Sequence, residues 1–405
     1  MKPTRKYLLL AIAFGGYILL GLPNGLLNVA WPSIRDTFGL SLDALGTLLA
    51  AASAGYILSS IISGSLVARL GTVPLLTSSS ILIGAGALGY SVAPNWWTMV
   101  AFGLLLGLGN GFVDTGLNVF VANNYETRHM NWLHGFFGIG ATLGPVIMAA
   151  ILNADLSWRW GYRLVVALEL IVIACFIITR KWWGSSAETA SPEADARRPA
   201  VQARFLATLS LPVVWLGILL FMTHTGTELT APQWAYTLFT EKRMVAPTVA
   251  SVWTSIYWGS LTVSRLVLGG LSDRVGVDRM LRMCMVGIVV GAGLLWWNPT
   301  QLVSFLGLTA IGAGVALLFP SLISLTPRWV GPAHTANAIG FQVAAGSIGM
   351  SIVPGVAGIL AERMGLEVIG PILFVSGLLI LLLFESLVRF SARNARNDSM
   401  MEDAA

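Results

Sequence analysis

The chain has 405 residues, of which 56% are hydrophobic and only 11% charged. A soluble domain carries roughly 25% charged residues, so the composition excludes a water-solvated globule and makes lipid the solvent. The net charge of +5 sits in short loops rather than along one polar face, which excludes a nucleic-acid surface.

The N-terminus (Lys2, Arg5, Lys6, then an apolar run) has the look of a signal peptide. The run continues from Tyr7 to about Ala30 without a good small-residue cleavage site, so it reads as a first retained span. A helix needs about 20 apolar residues to cross the bilayer core. Breaks in the pattern predict six helices near 7–30, 44–68, 73–93, 96–122, 131–153 and 161–180. Six more follow near 205–229, 247–270, 280–297, 300–325, 336–361 and 368–390, with Pro232 expected to end the seventh. The expected organisation is a six-helix bundle over 1–183, a polar Ser/Ala/Pro linker over 184–204, a second bundle over 205–392 and a tail over 393–405. Of the 24 Lys and Arg residues, 17 fall on the side of the termini and linker, 6 on the other side, and Arg265 within a span. That bias predicts a multi-pass protein of the inner (cell) membrane with both termini cytoplasmic. Cys175 and Cys284 lie inside apolar runs and form no disulfide framework, and no metal or cofactor motif is present.

GSLVARLGTVPLL (Gly64 to Leu76) and GGLSDRVGVDRML (Gly269 to Leu281) are similar segments 205 residues apart, each expected to be a polar loop capping a helical hairpin. GLGNGFVDTGLN (Gly107 to Asn118) and GAGVALLFPSLI (Gly312 to Ile323) align at the same offset. Two matches at one offset predict tandem duplicated halves, one of the repeat arrangements of transporters.

The loop G-x-L-S-D-R-x-G at Gly269 to Gly276 resembles the signature loop of the major facilitator superfamily. The resemblance implies an all-α integral membrane fold of twelve transmembrane helices in two six-helix bundles. It also implies a gating role for Asp273 and Arg274. In the first copy Arg69 and Gly71 remain, but Ala68 replaces the acid. Four stretches are narrower: GLPNGLLNVAWP (Gly21 to Pro32), GFVDTGLNVF (Gly111 to Phe120), MNWLHGFFGIGATLGP (Met130 to Pro145) and LLFPSLISLTP (Leu317 to Pro327). They resemble the fucose–proton symporter branch, whose transport of hexoses and similar solutes with protons is what the resemblance implies. This chain has Asn28 where that branch carries an Asp and Asp114 where it carries a Glu.

An acidic side chain at mid-membrane costs about 2.5–3.5 kcal/mol on insertion scales and normally faces the bundle interior or water. Asn110, Asp114 and Asn118 recur every four residues and form one polar stripe, beside a small-residue stripe of Gly103, Gly107 and Gly111. Asp114 is the first proton-coupling candidate. Glu228, one turn after His224, is the second. Tyr17, Asn24 and Asn28 share a face of the first helix, where Pro23 frees a carbonyl. Asn24, Asn28, Asn110, Asn118, His134, His224, Gln233, Trp253, Tyr257 and Gln342 are the candidate solute-binding residues. Amides beside aromatics suit a sugar-sized ligand.

No nucleophile–base pair is present, so an enzyme is not expected. The predicted function is proton-coupled symport of a small polar solute by alternating access, in a lipid-embedded monomer. Two alternatives stay open. One is a proton-coupled exporter of drugs or metabolites, suggested by the Gly138 to Pro145 stretch. The other is a membrane sensor that binds solute without moving it.

Overall fold

The computed structural model describes residues 3–125, 127–183, 205–331 and 333–402. The predicted linker over 184–204 lies outside the described residues, as do the side chains of Asp273 and Arg274. Among the described residues every regular element is helical. The long helices are α1 (Pro3–Phe38), α2 (Ala44–Leu70), α3 (Thr72–Val92), α4 (Trp96–Asn124), α5 (Thr127–Asn153) and α6 (Arg159–Thr179). They continue as α7 (Pro212–Thr237), α8 (Pro247–Val275), α9 (Val277–Trp297), α10 (Gln301–Val315), α11 (Leu318–Val330), α12 (Thr335–Met364) and α13 (Ile369–Glu402). α10 and α11 together form one apolar segment over Gln301–Val330. Eleven of these segments are long and apolar enough to cross a bilayer by length and composition; α8, rich in Ser and Thr, is the exception.

Several boundaries differ from the sequence expectation. Both repeat segments are helix for most of their length: α2 runs to Leu70 and α8 to Val275, leaving only Gly71 and Gly276 between helices. Their φ angles of +84° and +89° explain the economy, because a glycine turns the chain there without a longer loop. Pro232 does not end α7, which continues to Thr237 and then into a π-helical turn over Leu238–Lys242. α5 starts at Thr127, so His134 sits two turns inside the helix rather than at its start.

The described residues divide into two compact units. The first comprises residues 1–192 with 232–262 and 355–368; the second comprises 193–231, 263–354 and 369–405. In the first, α1 packs on α5 at glycines: a Cβ on Gly25 would lie 2.5 Å from the Ala141 carbonyl oxygen. Gly140 and Gly144 face α1 in the same way, which accounts for the Gly-rich stretch of α5 by packing alone. Gly107 and Gly111 of α4 face the α2 backbone at Ala52 and Tyr56, so the predicted small-residue stripe is a helix contact.

The same unit is tied at the C-terminal end of α1. Arg35 pairs with both carboxylate oxygens of Glu241 at 3.0 Å. Arg243 binds Glu367 through Nε at 3.0 Å and Nη2 at 2.6 Å. The Leu42 amide donates to Glu362 at 2.8 Å, and Asn153 donates to Thr248 at 3.2 Å.

The second unit repeats contacts of the first at the 205-residue offset. A Cβ on Gly109 would meet the Ser79 oxygen and Ile83; one on Gly314 would meet the Cys284 oxygen and Ile288. Gly86 packs on Leu106, and Gly291 packs on Ile311. Asn95 caps α4 by accepting from the Thr98 amide, as Thr300 caps α10 by accepting from Val303. The duplication is therefore present in the packing as well as in the letters.

Candidate functional site

In the first unit, Asp114 lies on the polar stripe of α4 and gathers three donors. Its Oδ1 accepts from Tyr17 at 2.6 Å and from Asn118 at 3.1 Å, and its Oδ2 accepts from Tyr56 at 2.6 Å. Hydroxyl-to-carboxylate distances this short are those of charge-assisted bonds. Inside a membrane, a carboxylate needs such donors to offset its lost hydration. His134 of α5 stands edge-on to the Tyr17 ring, with centroids 5.4 Å apart. Asn110, one turn earlier, keeps a buried Oδ1 with no hydrogen-bond partner among the described residues. The stripe thus keeps one amide oxygen open to a donor.

A second cluster in the same unit is built on Asn28, which is fully buried. In the amide orientation that satisfies its neighbours, Asn28 donates to the Asn24 carbonyl at 3.1 Å and to Gln233 Oε1 at 3.0 Å. It accepts from Trp258 Nε1 at 3.2 Å. Gln233 follows Pro232 in α7, and its Nε2 is buried without a hydrogen bond. Of the α8 aromatics, Trp258 reaches this cluster. Trp253 instead packs on Phe239 at 5.1 Å, and Tyr257 stands edge-on to Trp258.

The remaining candidates lie in the second unit. His224 and Glu228 of α7 approach to 3.4 Å across one helical turn, and His224 is fully buried. Arg265 of α8 lies within electrostatic reach of both. Gln342 of α12 accepts from Thr326 at 2.8 Å and packs against Gly217, joining three helices. Arg69 is exposed at the end of α2, and Asp273 and Arg274 lie in the last turn of α8. Two further acids lie in helices: Glu385 pairs with Arg282, and buried Glu169 faces Ser80 on α3 while its Oε2 has no hydrogen bond among the described residues.

Sequence reasoning missed Tyr56, Trp258 and Arg265. Tyr56 is a lone aromatic in an Ala/Gly/Ser-rich helix, and that isolation was its available signal. Tyr17 was placed on the right helix face without a role. No group of three or more His, Cys, Asp or Glu side chains that could hold a metal occurs among the described residues.

The profile of the Major Facilitator Superfamily matches residues 13–240 and 216–403. A 3-(3-hydroxy-phenyl)propionate transporter of Escherichia coli is 23% identical, over 88% of this chain and 87% of that protein. Among solved structures, the nucleoside transporter NupG superposes with a TM-score of 0.77 at 14% identity, covering 95% of this chain and 99% of that one. The E. coli fucose:proton symporter superposes with a TM-score of 0.61 at 17% identity, covering 93% and 98%. These structures share the fold. By the extent of the family match, this chain belongs to the Major Facilitator Superfamily, whose members are transporters rather than enzymes.

Proposed function

We propose that this superfamily member is a proton-coupled symporter of a small polar solute, with Asp114 as the proton-binding group. The carrying observation is the convergence of Tyr17, Tyr56 and Asn118 on a carboxylate in the middle of a membrane helix. Such an acid is expensive to bury and marks a proton or solute path. The three donors occupy both carboxylate oxygens, so a proton arriving at either competes with one of them. Asn28, Asn24 and Gln233 supply amides beside the Trp258 ring, the mix that recognises sugar hydroxyls and faces. Glu228, with His224 beside it, is a second site able to hold a proton.

In this reading the halves 1–183 and 205–392 rock about their midplane residues, joined by the linker 184–204. Arg69, Asp273 and Arg274 latch the linker side. The chain works as a monomer in the cell membrane, both termini cytoplasmic, with solute, protons and lipid as its partners. It is a multi-pass membrane protein of a transporter family.

Proteoliposomes carrying a pH gradient test the assignment, with radiolabelled fucose, xylose and glucose as probes. Asp114→Asn is expected to abolish accumulation above equilibrium while sparing solute exchange. Normal accumulation by the variant would make Asp114 a structural residue.

A further inference from the structure

Arg265 lies within α8, half-buried, ten residues before the Val275 end of that helix. Its Nε donates to the Ala316 carbonyl at 2.9 Å. That carbonyl is available because the residue four positions later is Pro320, which has no amide hydrogen to return an intrahelical bond. The helix accordingly breaks between α10, ending at Val315, and α11, starting at Leu318. Irregular backbone at membrane depth persists only where protein buries it or a polar cavity wets it.

A hydroxyl or an amide would satisfy one stray carbonyl. A guanidinium brings a full charge and five N–H donors, of which the carbonyl uses one. With Nε committed, the end-on pair Nη1 and Nη2 presents the parallel fork that matches a carboxylate. Phe319, at the start of α11, packs edge-on against Phe221 of α7, so the break lies beside α7. Glu228 of α7 is close enough for its charge to act on Arg265.

We propose that Arg265 is the recognition residue for an anionic group of the solute, which makes the substrate class a small polar carboxylate such as a sugar acid. This deepens the reading of the chain as a transporter of a polar solute and rests on it. Glu228 is then the internal competitor: its carboxylate attracts the same guanidinium that the solute carboxylate engages end-on. The two residues must therefore act in opposite directions on binding. A merely structural Arg265 would give no such opposition.

The test is equilibrium binding to the full-length protein in phosphatidylcholine nanodiscs, read by thermal shift and calorimetry. The probes are D-glucuronate and D-gluconate, with D-glucuronamide and D-glucose as neutral counterparts. At least one carboxylate is expected to bind and its neutral counterpart not. Arg265→Gln should weaken that binding by about 30-fold or more, Arg265→Lys by less, and Glu228→Gln should tighten it several-fold. Neutral probes binding as well as the acids would overturn the proposal. So would undiminished acid binding by Arg265→Gln, or no acid binding at all. If Arg265→Gln does not fold, weaker acid binding by Glu228→Gln overturns it as well. Arg265-dependent binding without counterflow in proteoliposomes would instead sink the transport reading and leave the anion site standing.

Discussion

Tyr56 reaches Asp114 because a glycine lets two helices touch. At Gly111 any Cβ would overlap the Tyr56 backbone oxygen and the Ser59 hydroxyl, so α2 can lie against α4 only at this composition. The phenol then arrives at Oδ2 from one side, while Tyr17 arrives at Oδ1 from α1. A hydrogen bond to a charged group contributes about 1.5–3 kcal/mol, or about 10–100-fold in an equilibrium constant. Tyr56→Phe removes one donor from the charged form, so proton release becomes the harder step. Proton-driven uptake by Tyr56→Phe should fall about tenfold while counterflow, which moves no net proton, stays near wild type. Equal loss in both assays would mean that the phenol only supports packing. Trp258→Phe is a different case, because it leaves the fully buried Asn28 oxygen without its donor. An orphaned buried acceptor costs about 1–3 kcal/mol, so the thermal midpoint of this variant should drop; an unchanged midpoint would place water at that oxygen. The polar stripe of α4 was legible in sequence because i, i+4 spacing alone puts Asn110, Asp114 and Asn118 on one face. The partners were not, since Tyr56 and Trp258 join their clusters through tertiary contacts that no local spacing encodes.

At the scale of elements, the duplication fixes turns and packing sites in pairs. Gly71 and Gly276 both take positive φ, and Gly39 and Met244, also 205 apart, both turn the chain in the left-handed region. Gly109 touches Ile83, and Gly314 touches Ile288, its counterpart in the second half. Overfilling a close-packed contact costs about 1–3 kcal/mol. Gly109→Val and Gly314→Val should therefore lower the thermal midpoint by similar amounts, each by driving two helices apart. A large effect at one site and none at the other would show that the halves have diverged in packing despite the shared offset. The helix count and the repeat were legible because apolar run length and a constant offset survive in the letters. The boundaries were not. A Gly71 or Gly276 turn needs a single residue, so polar letters around it sit inside helices, and Pro232 stays within α7, which runs on to Thr237. Prolines mark a subtler division: the two compact units part between Ala231 and Pro232 in α7 and between Pro354 and Gly355 in α12.

For the whole molecule, residues 232–262 of α7 and α8 and 355–368 around the end of α12 belong to the same unit as α1 to α6, and charge pairs tie the stretches after α7 and α12 there. Arg35 grips Glu241 just past α7, and Arg243, whose side chain is only 3% exposed, grips Glu367 just past α12. Asn28 lies two turns before Arg35 in α1, so these pairs sit between the amide cluster and that end of the helix. Exposed ion pairs contribute about 0–1 kcal/mol, whereas breaking a buried one leaves a charge uncompensated and costs about 3–5 kcal/mol. Arg243 is the more buried of the two arginines, although its partner Glu367 is 41% exposed, so losing Glu367 strands the better-buried charge and that pair should dominate. On the proposed orientation this end faces outward, so loosening it should admit water to Asn28 from outside. The measurement uses Asn28→Cys in a background of Cys175→Ser and Cys284→Ser, labelled in intact cells with a membrane-impermeant maleimide. Glu367→Gln should raise the labelling rate about tenfold or more, and Arg35→Ala should raise it by less. A reversed order would mean that the Arg35 pair is the effective bolt. No change in either would mean that apolar packing of α1 on α5, with the small-residue contact of Gly46 on Gly355, closes this end without help from charge.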